Sequence, residues 1–150
     1  MAYDKTDIAR SYDRARTMDP ARVKVWLDRF VVHAPRADVH DIVDLGCGTG
    51  HFSQVLADLY GARLTGVDPS ETMRARARAK SPELTFLMGA GESVPLGDAS
   101  ADLVFLSLVY HHLKDRAAAA RECWRVLRPG GFVMIRTPTI DAHGYEAFVR

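Results

Sequence analysis

The chain has 150 residues, a length that suits one globular domain with a sizeable core. Its formal net charge of +1 at pH 7 provides no basic field, so neither nucleic acid nor a membrane surface is expected as a partner. No segment is long enough to span a bilayer, no signal-peptide core is visible, and Cys47 and Cys123 lack metal-ligand spacing. These absences predict a cytoplasmic protein without a metal.

The first predicted element is an N-terminal helical region. Apolar residues recur there at spacings of three and four, which makes one apolar helix face: Val23, Trp26, Leu27 and Phe30. Pro35 ends this pattern, because a proline disfavours the helical conformation of the residue before it. We assign residues 1–37 to an N-terminal helical cap.

Strands and helices then alternate along residues 38–137. The predicted strands are 41–45, 63–67, 84–88, 102–109 and 132–136. The predicted helices are 52–60, 70–80 and 117–127, whereas 89–101 is too broken for a long helix. This alternation predicts an α/β fold with a Rossmann-like, doubly wound, mostly parallel sheet of strand order 3-2-1-4-5. A ligand crevice is expected at the switch point between strands one and four.

The segment between the first strand and the next helix carries the clearest functional signal. Its glycines, Gly46, Gly48 and Gly50, can take positive φ and let a ligand approach the backbone at a helix N-terminus. Their G-x-G-x-G spacing lacks the last glycine of the dinucleotide fingerprint G-x-G-x-x-G. Asp68 ends the second strand, where a carboxylate can accept both ribose hydroxyls of a nucleotide; alternatively, it only caps the helix that begins near Ser70.

Several ordered segments resemble the class I S-adenosylmethionine-dependent methyltransferases, specifically the small-molecule enzymes related to ubiquinone and menaquinone biosynthesis (methyltransferase type 11). The matching segments are 43–50 (VDLGCGTG), 66–73 (GVDPSETM), 89–96 (GAGESVPL) with 102–104, and 121–131 (RECWRVLRPGG). The resemblance implies a single S-adenosylmethionine-binding domain over residues 1–150. Residues 138–150 would be the start of a truncated C-terminal part, so the chain would lack the C-terminal strands of the full seven-stranded fold.

The resemblance also implies S-adenosyl-L-methionine as cofactor and S-adenosyl-L-homocysteine as product. The turn formed by Gly46, Cys47, Gly48 and Gly50 would hold the methionine end of the cofactor. Asp44 would support the amino group of the cofactor, directly or through water.

The adenosine end of the cofactor would meet the second and third strand ends. Asp68 would accept the ribose hydroxyls, Pro69 and Met73 would flank the adenine, and the backbone of Gly91 would meet the ring edge. Ala90 is a departure, because many relatives carry an aspartate there that accepts from the adenine amino group. The loss of that contact would cost about 1.5–3 kcal/mol of binding free energy unless water substitutes.

Candidate catalytic residues follow the fourth strand. Ser107 would lie beside the methyl donor, and His111 or His112 could remove a proton from the acceptor, if the acceptor must lose one. The alternative is that both histidines cap and pack the turn. Tyr12 resembles the N-terminal tyrosine that covers the cofactor in relatives; its alternative is an ordinary helix aromatic.

We therefore expect transfer of a methyl group to an oxygen, nitrogen or carbon atom of a small molecule. An Asn-Pro-Pro-Tyr-type motif is absent after the fourth strand, which disfavours a nucleic-acid acceptor. The alternatives are a non-catalytic S-adenosylmethionine-binding module or fragment, and a nicotinamide dehydrogenase, which His51 in place of a glycine disfavours. If the fifth strand is an exposed edge, a homodimer could form through it.

Overall fold

The computed structural model describes residues 20–137, which form five strands and four α-helices. The strands are β1 (Asp41–Leu45), β2 (Arg63–Asp68), β3 (Thr85–Met88), β4 (Ala101–Ser107) and β5 (Leu127–Arg136). The helices are α1 (Pro20–His33), α2 (Ser53–Tyr60), α3 (Glu71–Lys80) and α4 (Arg116–Val126), with short 3-10 turns at Arg36–Asp38 and Tyr110–His112. Tyr12 and the predicted C-terminal part lie outside these residues.

The described strands form one parallel sheet in the order β3-β2-β1-β4-β5, which confirms the predicted topology. Successive side chains of the central strands enter opposite cores, as the pleat of a strand requires. On one face, Ile42 and Phe105 pack with Phe30 of α1 and Leu56 of α2. On the other face, the core consists chiefly of Val43, Leu45, Val67, Val104, Leu106, Cys123 and Val126.

Local signals set most of the element ends. Gly61 ends α2 in the left-handed conformation with φ of 62°, and Ser70 caps α3 by accepting from the backbone N–H of Met73. The predicted end of the fourth strand is wrong by two residues. Leu108 takes a φ of 59°, and this left-handed residue turns the chain out of the sheet after Ser107.

The fifth strand also differs from its predicted bounds. It begins at Leu127 instead of 132, and its pairing with β4 shifts between Ala101 and Leu103. Within the described sheet β5 is an edge strand on which Val133 and Ile135 are each 48% exposed. A homodimer through this edge stays a prediction. None of the helices within residues 20–137 is long and apolar enough to cross a membrane.

An ion-pair network joins four strands at the end of the sheet where β1 begins. Oδ2 of Asp102 accepts from the backbone N–H groups of His40 and Asp41, each at 2.9 Å. Oδ1 of Asp102 accepts from Arg128 at 2.8 Å. Asp41 in turn pairs with Arg128 and Arg63. Although burial opposes it, these hydrogen bonds from Arg128 and the two backbone groups lower the pKa of Asp102.

Replacing Asp102 by alanine tests this network. We expect Asp102→Ala to lower the free energy of unfolding by about 2 kcal/mol, because two backbone donors and a guanidinium lose their acceptor. Asp28→Ala is the control: Asp28 has one exposed partner, Lys24, and the change should be below about 0.5 kcal/mol. Urea unfolding at pH 7 measures both variants. Equal unfolding midpoints for them would contradict the assignment.

Candidate functional site

The glycine turn that follows β1 is shaped by three residues with positive φ, Gly46 (74°), Gly48 (54°) and Gly50 (73°). A Cβ at Gly46 would lie 2.4 Å from a methyl group of Val109, so any other residue would have to displace Val109 and would strain the backbone. The backbone N–H groups of Gly46 and Cys47 donate to the carbonyl oxygen of Val67, at 2.7 and 3.2 Å. The turn is therefore fastened to β2, at the C-terminal edge of the sheet where ligands of open α/β folds bind.

Asp68 connects the glycine turn to the start of α3. Its Oδ2 accepts from the backbone N–H of Gly48 at 2.9 Å, and its Oδ1 accepts from the backbone N–H of Ser70 at 2.8 Å. Ser70, and not Asp68, is the N-cap of α3. The carboxylate therefore lies at the end of β2, beside the glycine turn. Such a carboxylate can accept a pair of neighbouring hydroxyl groups.

Asp44 lies beneath the glycine turn and is only 3% exposed. The hydroxyl of Ser53, the first residue of α2, donates to its Oδ2 at 2.7 Å. Burial raises the pKa of Asp44 to about 7; the Ser53 hydrogen bond opposes this rise and the charge of Asp68 adds to it. A cationic group bound near the turn would stabilise the charged form of Asp44.

The loop between β3 and β4 reaches across towards α4. The backbone groups of Ala90 pair with those of Ser93. A substitution at residue 90 would change the side chain and leave these backbone bonds in place. A Cβ at Gly91 would lie 2.4 Å from a methyl group of Leu113, which places this loop in direct contact with the segment before α4. Oε1 of Glu92 strengthens that contact by accepting from the backbone N–H groups of Lys114 and Asp115.

Side chains of α4 form a second set of hydrogen bonds with the same loop. Glu122 accepts from the backbone N–H of Val94 at 2.8 Å, while Arg125 donates to the carbonyl oxygens of Val94 and Leu96 at 3.0 and 2.8 Å. The hydrogen bond from Arg125 lowers the pKa of Glu122 to about 2. These bonds could not be predicted from the sequence, because they join residues about 30 positions apart, which no local pattern connects.

The other predicted site residues that fall within residues 20–137 lie around the same edge of the sheet. Ser107 ends β4, and its Oγ accepts from Arg136 at 2.9 Å. His111 and His112 are exposed on the turn that follows, with ring centroids 4.0 Å apart. Pro69 is exposed beside Asp68, whereas Met73 is only 3% exposed, inside α3.

Arg74 is a further residue that the sequence analysis missed. A basic residue in an arginine-rich helix indicates a solvated side chain, yet Arg74 is only 5% exposed and bonds to Asp68. The available signal was its position beside Met73 and three residues before Ala77, on the buried face of α3.

Comparisons with known proteins agree on one family. The family described as "Methyltransferase domain" matches residues 43–135. The malonyl-[acyl-carrier protein] O-methyltransferase of Yersinia pestis is 40% identical over 137 residues, which cover 89% of this chain and 51% of that protein. The demethylmenaquinone methyltransferase of Chlorobaculum tepidum is 38% identical over 99 residues, covering 66% of this chain and 41% of that protein.

Solved structures give the same result. An S-adenosylmethionine-dependent methyltransferase from Mesorhizobium loti is 38% identical with a TM-score of 0.60, covering 66% of this chain and 46% of that one. The YcgJ protein from Bacillus subtilis is 28% identical with a TM-score of 0.66, covering 73% and 48%. The chain spans about two fifths to one half of the length of the curated relatives named above. From the family match and these relatives, the chain belongs to the S-adenosylmethionine-dependent methyltransferases.

Proposed function

We propose that the protein transfers a methyl group from S-adenosylmethionine to an oxygen, nitrogen or carbon atom of a small molecule. The observation that carries this proposal is the Asp68 carboxylate, which accepts from the Gly48 N–H of the glycine turn and lies at a strand end where a carboxylate can accept a pair of neighbouring hydroxyl groups. The ribose of the family's cofactor has such a pair of hydroxyls.

The residues at this edge of the sheet fit that cofactor. Asp68 would accept its ribose hydroxyls, Asp44 would face its ammonium group, and the turn from Gly46 to Gly50 would hold its methionine end. Pro69 and Gly91 would border the adenine. When bound, S-adenosylmethionine supplies a methyl group on a good leaving group, so the chain's main task is to position the acceptor.

The turn after β4 would contribute the acid–base chemistry that some acceptors require. The exposed imidazoles of His111 and His112 can take a proton from an acceptor oxygen or nitrogen. Tyr12, which lies outside the described residues, would cover the cofactor. The relatives named above act on a malonyl-[acyl-carrier protein] and on demethylmenaquinone, which supports a small-molecule or carrier-bound acceptor.

Ala90 favours a second candidate function, a module that binds S-adenosylmethionine without methyl transfer. Without the aspartate that many relatives place here, the adenine amino group loses a charge-assisted partner. Incubation with labelled S-adenosylmethionine and a metabolite extract separates the two candidates, because only an enzyme transfers the label to a small molecule.

Binding of S-adenosylhomocysteine tests the proposed site directly. We expect isothermal titration calorimetry to give a dissociation constant in the micromolar range, and Asp68→Asn to weaken binding by roughly 10- to 100-fold through the ribose contacts. Asp58→Asn is the matched control, because Asp58 is exposed on α2 and bonds only locally to Gln54. If the unaltered protein gives no binding heat at millimolar ligand, the proposed function is wrong.

The raised pKa of Asp44 predicts pH-dependent binding. Below pH 7 this carboxyl group is largely protonated in the free protein, and an ammonium group favours its ionised form. Affinity for S-adenosylhomocysteine should therefore rise between pH 6 and pH 8, and binding at pH 6.5 should release protons. Calorimetry in two buffers of different ionisation enthalpy counts those protons. Asp44→Asn should lose the proton release, and its persistence in that variant would assign the effect elsewhere.

Restoring an acidic group at position 90 predicts a gain in affinity. Ala90→Asp should tighten S-adenosylhomocysteine binding by roughly tenfold or more, because the carboxylate would accept from the adenine amino group. Ala90→Asn has similar size without the charge and should gain less. An equal gain from both variants would show that charge plays no part, and no gain would place the adenine away from residue 90.

A further inference from the structure

Arg74 is a buried cation at the proposed site, and the proposed function gives this residue no role. It lies in the first turn of α3 and is 5% exposed, although arginine is almost never fully buried unless it is paired. Burial raises the pKa of the Cys47 thiol, and so do the charges of Asp44 and Asp68, whereas the charge of Arg74 lowers it. The guanidinium therefore lies within electrostatic range of the glycine turn.

The guanidinium of Arg74 holds a main-chain atom of the candidate ribose site. Its Nη1 donates to the carbonyl oxygen of Asp68 at 2.5 Å. Its Nη2 donates to Glu71, which is largely exposed and also accepts from Arg78. The Arg74 guanidinium is therefore held by two partners, the Asp68 carbonyl on the buried side and Glu71 on the solvent side.

The Asp68 carbonyl has particular importance because proline follows. Pro69 has no N–H, so the peptide unit between residues 68 and 69 can be anchored by hydrogen bonds only through its oxygen. The same oxygen also accepts from the backbone N–H of Gly89, at the long distance of 3.5 Å. Rotation of this peptide unit would move Ser70, whose N–H holds Oδ1 of the Asp68 carboxylate.

We propose that Arg74 is a positioning residue for the ribose site: by holding the Asp68 carbonyl, it orients the Asp68 carboxylate towards the two ribose hydroxyls. This inference rests on the proposed function of the same site. Arg74 itself does not touch the ligand. Arg74 affects binding only by orienting Asp68. The effect therefore depends on the ribose hydroxyl groups that donate hydrogen bonds to the Asp68 carboxylate.

The test compares two ligands by calorimetry, S-adenosylhomocysteine and its analogue with a 2′,3′-dideoxyribose. We expect Arg74→Met to weaken binding of S-adenosylhomocysteine about tenfold and binding of the dideoxy analogue by less than about twofold. In Arg74→Met, the dissociation constant of the dideoxy analogue divided by that of S-adenosylhomocysteine therefore falls towards one. A purely structural role would weaken both ligands by the same factor and leave that ratio unchanged.

Two further variants complete the experiment. Arg78→Met is the matched control, because Arg78 lies on the same helix and shares the Glu71 partner but has no bond to Asp68; both ligands should bind it as they bind the unaltered protein. Arg74→Lys keeps the buried charge and should recover part of the discrimination through one bond to the carbonyl. It also gives the same comparison if Arg74→Met does not fold.

The possible outcomes separate this inference from the proposed function. An equal loss for both ligands in Arg74→Met, or no loss for either, overturns the role of Arg74 while the proposed function stands. Failure of the unaltered protein to bind S-adenosylhomocysteine overturns the proposed function instead. A selective loss in Arg78→Met as well would assign the effect to Glu71 and not to the Asp68 carbonyl.

Discussion

The parallel pairing of β1 with β2 is the constraint on which the site depends. In this register Asp44 lies opposite Gly66 and Leu45 lies opposite Val67, so the two strands end at the same level. The glycine turn leaves one strand where Asp68 ends the other, and the bond from the Gly48 N–H to that carboxylate joins them. Residues far apart in the chain thus meet because a sheet brings its carboxyl ends to one edge.

Side chains hold the loop after β3 and contact the N-terminal helix. The loop after β3 is bound to α4 by Glu122 and Arg125, which satisfy backbone groups that a loop would otherwise give to solvent. The N-terminal helix, which packs on the sheet through Phe30, gains a further contact from Arg136, whose guanidinium lies 5.1 and 5.3 Å from the ring centroids of Trp26 and Phe52. These contacts position irregular segments around a regular sheet.

The sequence predicted the sheet order and most element bounds because apolar runs, Gly61 and the Ser70 cap act locally. The end of β4 was less predictable: Leu108 and Val109 continue an apolar run, and the left-handed turn at Leu108 has no glycine to mark it. For the site, the glycine turn and Asp68 were visible as a motif. Arg74 shares the buried face of α3 with Met73 and Ala77, but its partner was not predictable, because that partner is a carbonyl oxygen six residues away that becomes available only in the folded turn.

The contact between Gly46 and Val109 has a consequence for redesign. The space for a Cβ at Gly46 is filled by the Val109 side chain, so the glycine turn touches the segment that leads to the histidines. A change of side-chain volume at residue 109 would therefore displace the glycine turn, which is proposed to hold the methyl donor. Mutant libraries that aim at a new acceptor should vary Tyr110 and the residues after it, and keep the valine.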